Sequence, residues 1–203
     1  MRRPRNQRTL RAEENCIRFN MGKLDKETFL TECEKAMDCE GERWREESFW
    51  NQFLTRYKVR ILNYIAILYH IGGQTEKSIF ILEHMLAQLV DSKVELADRY
   101  KSSMTVIDNL ATYYGEVGRL DDCLDLCEMG IDLCLKSGRG VRLGGLLSTK
   151  AEALNDEAGM FTEKSSEYLK QAYYLCDLAC VQSTTAYIDK YYRAHYENDI
   201  VWY

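Results

Sequence analysis

The sequence predicts an all-α chain of stacked helical hairpins, about nine helices in all, and three observations predict it. First, residues 62–86 (LNYIAILYHIGGQTEKSIFILEHML) recur in pattern 45 positions later, at 107–131 (IDNLATYYGEVGRLDDCLDLCEMGI). Second, the only proline is Pro4, so long stretches rich in Leu, Ala, Glu and Lys are free of helix breakers. Third, no run alternates apolar and polar residues for long enough to make a strand. Self-similarity at a fixed period marks a repeat architecture, in which each hairpin buries its apolar face against its neighbours.

The overlay explains the hairpin. Ala66 meets Ala111, Tyr69 meets Tyr114, Gly73 meets Gly118, Ser78 meets Cys123 and Glu83 meets Glu128. A small residue in the first helix lets the second approach closely, and the tyrosine fills the space beside it. The glycine falls just past the helix end, where a left-handed conformation costs it least. A third copy runs over 145–175 with Ala151, Gly159 and the pair Leu169/Ala172, after a one-residue slip near Ala158. A fourth precedes them: GKLDKETFL (22–30) echoes GRLDDCLDL (118–126), with its turn at Gly22.

These units place helices at 6–20, 25–39, 46–72, 75–91, 96–117, 120–137, 141–158, 162–180 and 183–197. Residues 12–203 read as a single solenoid domain behind a basic arm at 1–11. The arm carries five arginines and no acid, while the whole chain is −5, which leaves −10 on residues 12–203. An acidic body is a poor nucleic-acid surface. The arm reads either as a linker end or as a weak, salt-sensitive phosphate contact. No apolar core follows it as in a secretory leader, and no apolar run approaches the ~20 residues that span a bilayer. The expectation is a soluble, cytoplasmic protein without membrane contact.

Eight cysteines lie at 16, 33, 39, 123, 127, 134, 176 and 180. Cys123/Cys127 and Cys176/Cys180 each share one helix face, but a three-residue spacer lacks the geometry of a metal knuckle, and no histidine is near in sequence. They read as buried, reduced thiols, with no metal or other cofactor expected. The glycine-rich stretch 138–145 (GRGVRLGG) follows no strand, so it reads as a linker into the next helix and not as a phosphate loop. His70, His84 and His195 are scattered, and no nucleophile elbow or metalloprotease motif occurs. The expectation is a holding surface and not an enzyme.

The spacing of small, aromatic and glycine positions resembles the tetratricopeptide pattern, lengthened from the usual period of roughly 34 residues. Four segments go further: residues 55–89 (TRYKVRILNYIAILYHIGGQTEKSIFILEHMLAQL), the YYGEVG turn at 113–118, SGRG at 137–140 and LKQAYYL at 169–175. Together they resemble the C-terminal sensor region of XRE-type helix-turn-helix regulators of Gram-positive bacteria, in the Rgg, PlcR and Rap group. The resemblance covers about residues 10–203. It implies a right-handed superhelix that senses a short peptide in quorum signalling. It also shows a departure: such regulators begin with a DNA-binding domain, and nothing before residue 22 reads as two helices joined by a tight turn. Specific DNA binding by this chain alone is therefore not expected.

In that architecture the first helix of each hairpin lines the concave face. Counting from Ala66, Ala111 and Ala151, the inward slots hold Asn63, Ile67 and His70, then Asp108 (with Asn109 beside it), Thr112 and Gly115, then Ser148, Glu152 and Asn155. One turn earlier lie Arg60, Thr105 and Gly145, and Arg56 precedes them. Short polar side chains can satisfy the backbone of an extended peptide, and the two arginines suit a carboxylate. Two readings stay open: a peptide- or protein-binding sensor, and an adaptor that pairs with another protein or with itself through its aromatic C-terminus (187–203).

Overall fold

The computed structural model describes residues 14–38, 47–50, 54–91, 96–140 and 142–196. The arm at 1–11, Cys39, Trp202 and Tyr203 lie outside them. Residues 14–20 are the described part of α1. After it come α2 (Lys26–Met37), α3 (Glu47–Trp50), α4 (Arg56–Ile71), α5 (Thr75–Asp91) and α6 (Leu96–Glu116). Then follow α7 (Leu120–Ser137), α8 (Leu143–Ala158), α9 (Glu163–Leu178) and α10 (Gln182–His195). No strand occurs among the described residues, and none of their helices is long and apolar enough to cross a membrane.

One expected helix is corrected. The 46–72 segment is not continuous: α3 ends at Trp50 and α4 begins at Arg56. Thr55 is the reason at the α4 side. It takes extended backbone angles and its side chain accepts a hydrogen bond from the Lys58 N–H, which caps α4. Periodicity ran through the break because Phe49, Trp50 and Leu54 are all buried, as apolar residues of a continuous helix would be.

The hairpin turns follow one recipe. Gly22, Gly73, Gly118 and Gly159 all have positive φ, between 62° and 77°. The amide just after Gly73 reaches back to the Tyr69 carbonyl, and the one after Gly118 to the Tyr114 carbonyl, closing each first helix. The α9–α10 turn uses Cys180 in the same left-handed role, with φ 57°.

The chain divides into two compact units, Met1–Val94 and Glu95–Tyr203, each with its own core. In the first, Phe19 of α1 stacks on Phe29 of α2 with centroids 4.5 Å apart, and Phe29 meets Tyr64 of α4 edge-on. The Tyr69 hydroxyl donates to Glu34 Oε1 at 2.7 Å, tying α4 to α2. Ala66 and Ser78, the small residues of the α4–α5 hairpin, are fully buried. Ser78 Oγ has no hydrogen-bond partner. Stranding a hydroxyl costs more than its helix-packing role needs, so Ser78→Ala is expected to raise unfolding free energy by about 1 kcal/mol. Denaturant unfolding checks this, and a loss of stability would contradict it.

In the second unit α8 lies beside α6 and is hydrogen-bonded to α10, a layer against which α7 and α9 pack. Gly130 of α7 lies where a Cβ would come within 2.6 Å of Leu146 Cδ1, so a larger residue there would push the Leu146 side chain aside. Lys150 of α8 is buried between Glu128 of α7, with which it forms an ion pair, and the Tyr168 hydroxyl of α9. Burial pulls its ammonium pKa down, but these two partners outweigh that and leave it raised. Ser166 stands three residues into α9, as Ser78 and Cys123 stand three into α5 and α7. Its hydroxyl pairs with Tyr192 of α10 at 2.9 Å.

The described cysteines are thiols, six of them buried and Cys180 exposed. Burial pushes the Cys33 and Cys176 thiols above their ordinary range. No group of three His, Cys, Asp or Glu side chains among the described residues is placed to hold a metal ion.

Candidate functional site

In the first unit, Arg56, Arg60, Asn63, Ile67 and His70 follow one another at helical spacing along α4. Arg56 and Arg60 are exposed, Ile67 and His70 half-buried, and Asn63 buried. His70 Nδ1 lies 3.4 Å from Thr75 Oγ1, across the turn into α5.

In the second unit, the α6 and α8 slots come together with residues that the inward-slot count passed over. Asp108 is the first. Its Oδ2 accepts a hydrogen bond from Arg142 Nη1 at 2.5 Å, an ion pair between the middle of α6 and the start of α8. Gly145 lies beside the pair: a Cβ there would meet Asp108 Oδ1 at 3.4 Å, an ordinary contact. Burial pushes the Asp108 carboxyl up, and the Arg142 guanidinium offsets this only in part. Thr105 and Thr112 flank Asp108 on the same face, half-buried, each donating its hydroxyl to the carbonyl four residues back. That leaves hydroxyl lone pairs to accept from a ligand N–H. Asn109 is half-buried beside them.

Glu152 is the second centre. Its Oε1 accepts from the Ser148 hydroxyl at 3.1 Å and its Oε2 from the Tyr187 hydroxyl of α10 at 2.8 Å. Burial raises the Glu152 carboxyl, the two hydrogen bonds lower it, and Asp156 raises it again, with a net upward shift. Tyr187 is itself held far above the ordinary tyrosine range by burial and by that carboxylate.

Asn155 is placed differently. It is 3% exposed. Its Oδ1 accepts from the Thr162 N–H at 3.3 Å and the Ser165 hydroxyl at 2.5 Å, while Nδ2 lies 3.4 Å from Tyr191 and 3.3 Å from Tyr196 hydroxyls. Thr162 and Ser165 form the capping box that starts α9. Asn155 thus locks the α8–α9 turn to α10 and offers no free polar edge to a ligand.

Sequence reasoning missed Arg142, Tyr187 and Tyr191. A signal existed for the tyrosines: 183–197 reads as the first helix of a further hairpin, so its i, i+4 aromatics belong to the same face. Nothing in the linker marked Arg142 as the partner of an aspartate 34 positions earlier. The assembled face holds carboxylates against hydroxyls and a guanidinium. It is suited to gripping a polar chain, with hydrogen-bond donors and acceptors already oriented.

No protein-family model matches the sequence, and no curated protein matches it. Among solved structures the chain is similar to Bacillus thuringiensis PlcR in its apo form, with TM-score 0.71 and 19% identity over 93% of this chain and 64% of that one. PlcR in complex with the peptide PapR7 and DNA gives TM-score 0.71 and 18% identity, over 93% of this chain and 62% of that one. A Podospora anserina protein described as a kinesin light chain with nearly identical TPR-like repeats gives TM-score 0.63 and 16% identity, over 96% and 89%. The chain therefore has a tetratricopeptide-like fold, shared with part of PlcR and with a repeat protein. It spans less than two thirds of the PlcR chains it matches.

Proposed function

We propose that this chain is the peptide-sensing module of a bacterial transcriptional regulator of the XRE type, acting in the cytoplasm in quorum signalling, and that its ligand lies along the first-helix face. The observation that carries the reading is the row formed by Thr105, Asp108, Thr112, Ser148 and Glu152, whose polar groups stand on adjacent first helices of one tetratricopeptide-like unit. An extended peptide presents unpaired N–H and C=O groups every few ångströms, and such a row meets them. One structure with this fold was solved holding a peptide together with DNA. Binding acts by shifting the population of hairpin packings or of dimer contacts toward the liganded one. On this reading the acidic body carries no specific DNA contact and catalyses no reaction. Asn63, Ile67 and His70, with Arg56 and Arg60, form the corresponding stripe of the first unit.

An adaptor reading has its own observation. Met160, Phe161, Leu178 and Tyr187 expose large apolar side chains near the end of the second unit, as a protein-docking or homodimer surface would. A blocking variant separates the two. Thr112→Arg places a bulky side chain on the polar row without touching the core, so a peptide selected on the parent is expected to bind about tenfold more weakly or worse, with the melting curve unchanged. Isothermal titration checks this. Equal affinity in parent and variant, or concentration-dependent dimerisation with no peptide uptake, favours the adaptor.

A further inference from the structure

The far end of the first-helix face in the second unit is aromatic and negatively charged, and this combination selects a ligand chemistry. We propose that the segment bound there presents an arginine or lysine side chain, seated against the Tyr187 ring with its charge at the Glu152 carboxylate. The inference rests on the peptide-binding reading and names the ligand class for the same face.

Charge is the first argument. Asp108 in mid-α6 pairs with Arg142 at the start of α8, while Glu116 at the end of α6 acts on Tyr187, the partner of Glu152 late in α8. The two helices therefore run parallel, and their C-terminal ends, Glu116 and Ala158, lie toward the same end of the unit. Each helix C-terminus adds partial negative charge there. Asp156 raises the Glu152 carboxyl, so it too contributes. Five cations of this unit are engaged by other carboxylates: Arg119 by Asp122, Lys136 by Asp132, Arg142 by Asp108, Lys150 by Glu128 and Arg193 by Asp189. His195 acts on Glu152 but is stacked on Phe161 at 4.3 Å.

The second argument is the aromatic platform. Tyr187, Tyr191 and His195 follow each other at i, i+4 and i+8 along α10, with ring centroids 6.3 Å and 4.6 Å apart. Tyr187 is 50% exposed and Phe161 41% exposed. The Tyr187 hydroxyl is fixed on Glu152, so its ring stands beside the carboxylate. A cation over an aromatic face with a carboxylate at its edge satisfies both charge and shape, and a planar guanidinium does so best. A neutral or acidic segment leaves the carboxylate buried without a counter-charge, which disfavours it.

The experiment pans a fully random heptapeptide phage library on the full chain, then titrates the most enriched peptide as a synthetic product. The expected pool is enriched in Arg and Lys over the input library. Changing that basic residue to Gln in the peptide is expected to weaken binding to the parent about tenfold. Against Glu152→Gln, which keeps the Ser148 and Tyr187 hydroxyl contacts, the same change is expected to matter less than about threefold. Tyr187→Leu, at an exposed position, gives a second arm and is expected to weaken the basic peptide selectively. Enriched peptides that bind but carry no excess of basic residues overturn this inference and leave the peptide-binding reading standing. Enrichment of no peptide at all overturns both.

Discussion

Gly144→Ala is expected to cost about 2–3 kcal/mol, because it overpacks a contact between two helices. A Cβ at residue 144 would stand 2.5 Å from Cys176 Sγ and 3.0 Å from the Ala172 carbonyl oxygen. The sulfur is the end of a buried side chain and the carbonyl belongs to the α9 backbone, so neither yields without moving α9. Differential scanning calorimetry is expected to show the transition of the second unit lowered by roughly 8–20 °C. Cys176→Ala in the same background removes the closer clash and is expected to restore part of the loss, a coupling that a double-mutant cycle measures. An unchanged melting temperature for Gly144→Ala would show that α8 and α9 are not packed this closely.

Asn155→Ala has the next largest effect, about 2–3 kcal/mol, and it is a loss of stability and not of affinity. The amide oxygen holds the Thr162 N–H and the Ser165 hydroxyl, which start α9, and the amide nitrogen faces two tyrosine hydroxyls. Truncation opens a cavity and removes the hub of a buried network at a turn that joins three helices, leaving the Thr162 N–H to Ser165 and the Ser165 hydroxyl to Thr162 and Tyr196. The check is denaturant unfolding alongside peptide titration of the folded fraction. A groove contact would show the reverse pattern, with affinity falling and stability held. Together with Thr112→Arg, this separates residues that build the face from residues that meet a ligand.

Repeat positions were legible because they obey local rules. The alanines at 66, 111 and 151 are fully buried, and the hairpin-turn glycines all adopt positive φ. The expected helix at 120–137 coincides with α7, and its neighbours agree within a few residues. The error at 46–72 has an equally local cause: Thr55 both fits a helical period and caps a new helix, and only backbone geometry distinguishes the two. The site was legible in outline, since first-helix slots follow from register. Within it, Asn155 met the slot rule yet turned into the buried lock of a turn, because its burial depends on α9 and α10 and not on α8.

What this sequence determined by itself is its class: helical hairpins, their turns and the small residues at their crossings. Each of these rests on interactions between residues a few positions apart, or on a repeat that copies them. What only tertiary structure decided is the pairing of charges and hydroxyls across helices, namely Asp108 with Arg142 and Glu152 with Ser148 and Tyr187. Two of these three contacts, Asp108–Arg142 and Glu152–Tyr187, join residues 34 and 35 positions apart and form only once α8 lies beside α6 and α10. Hydrophobic burial sets that layer down without regard to which polar side chains meet on its face, so their partners are a consequence of packing and cannot be read from periodicity.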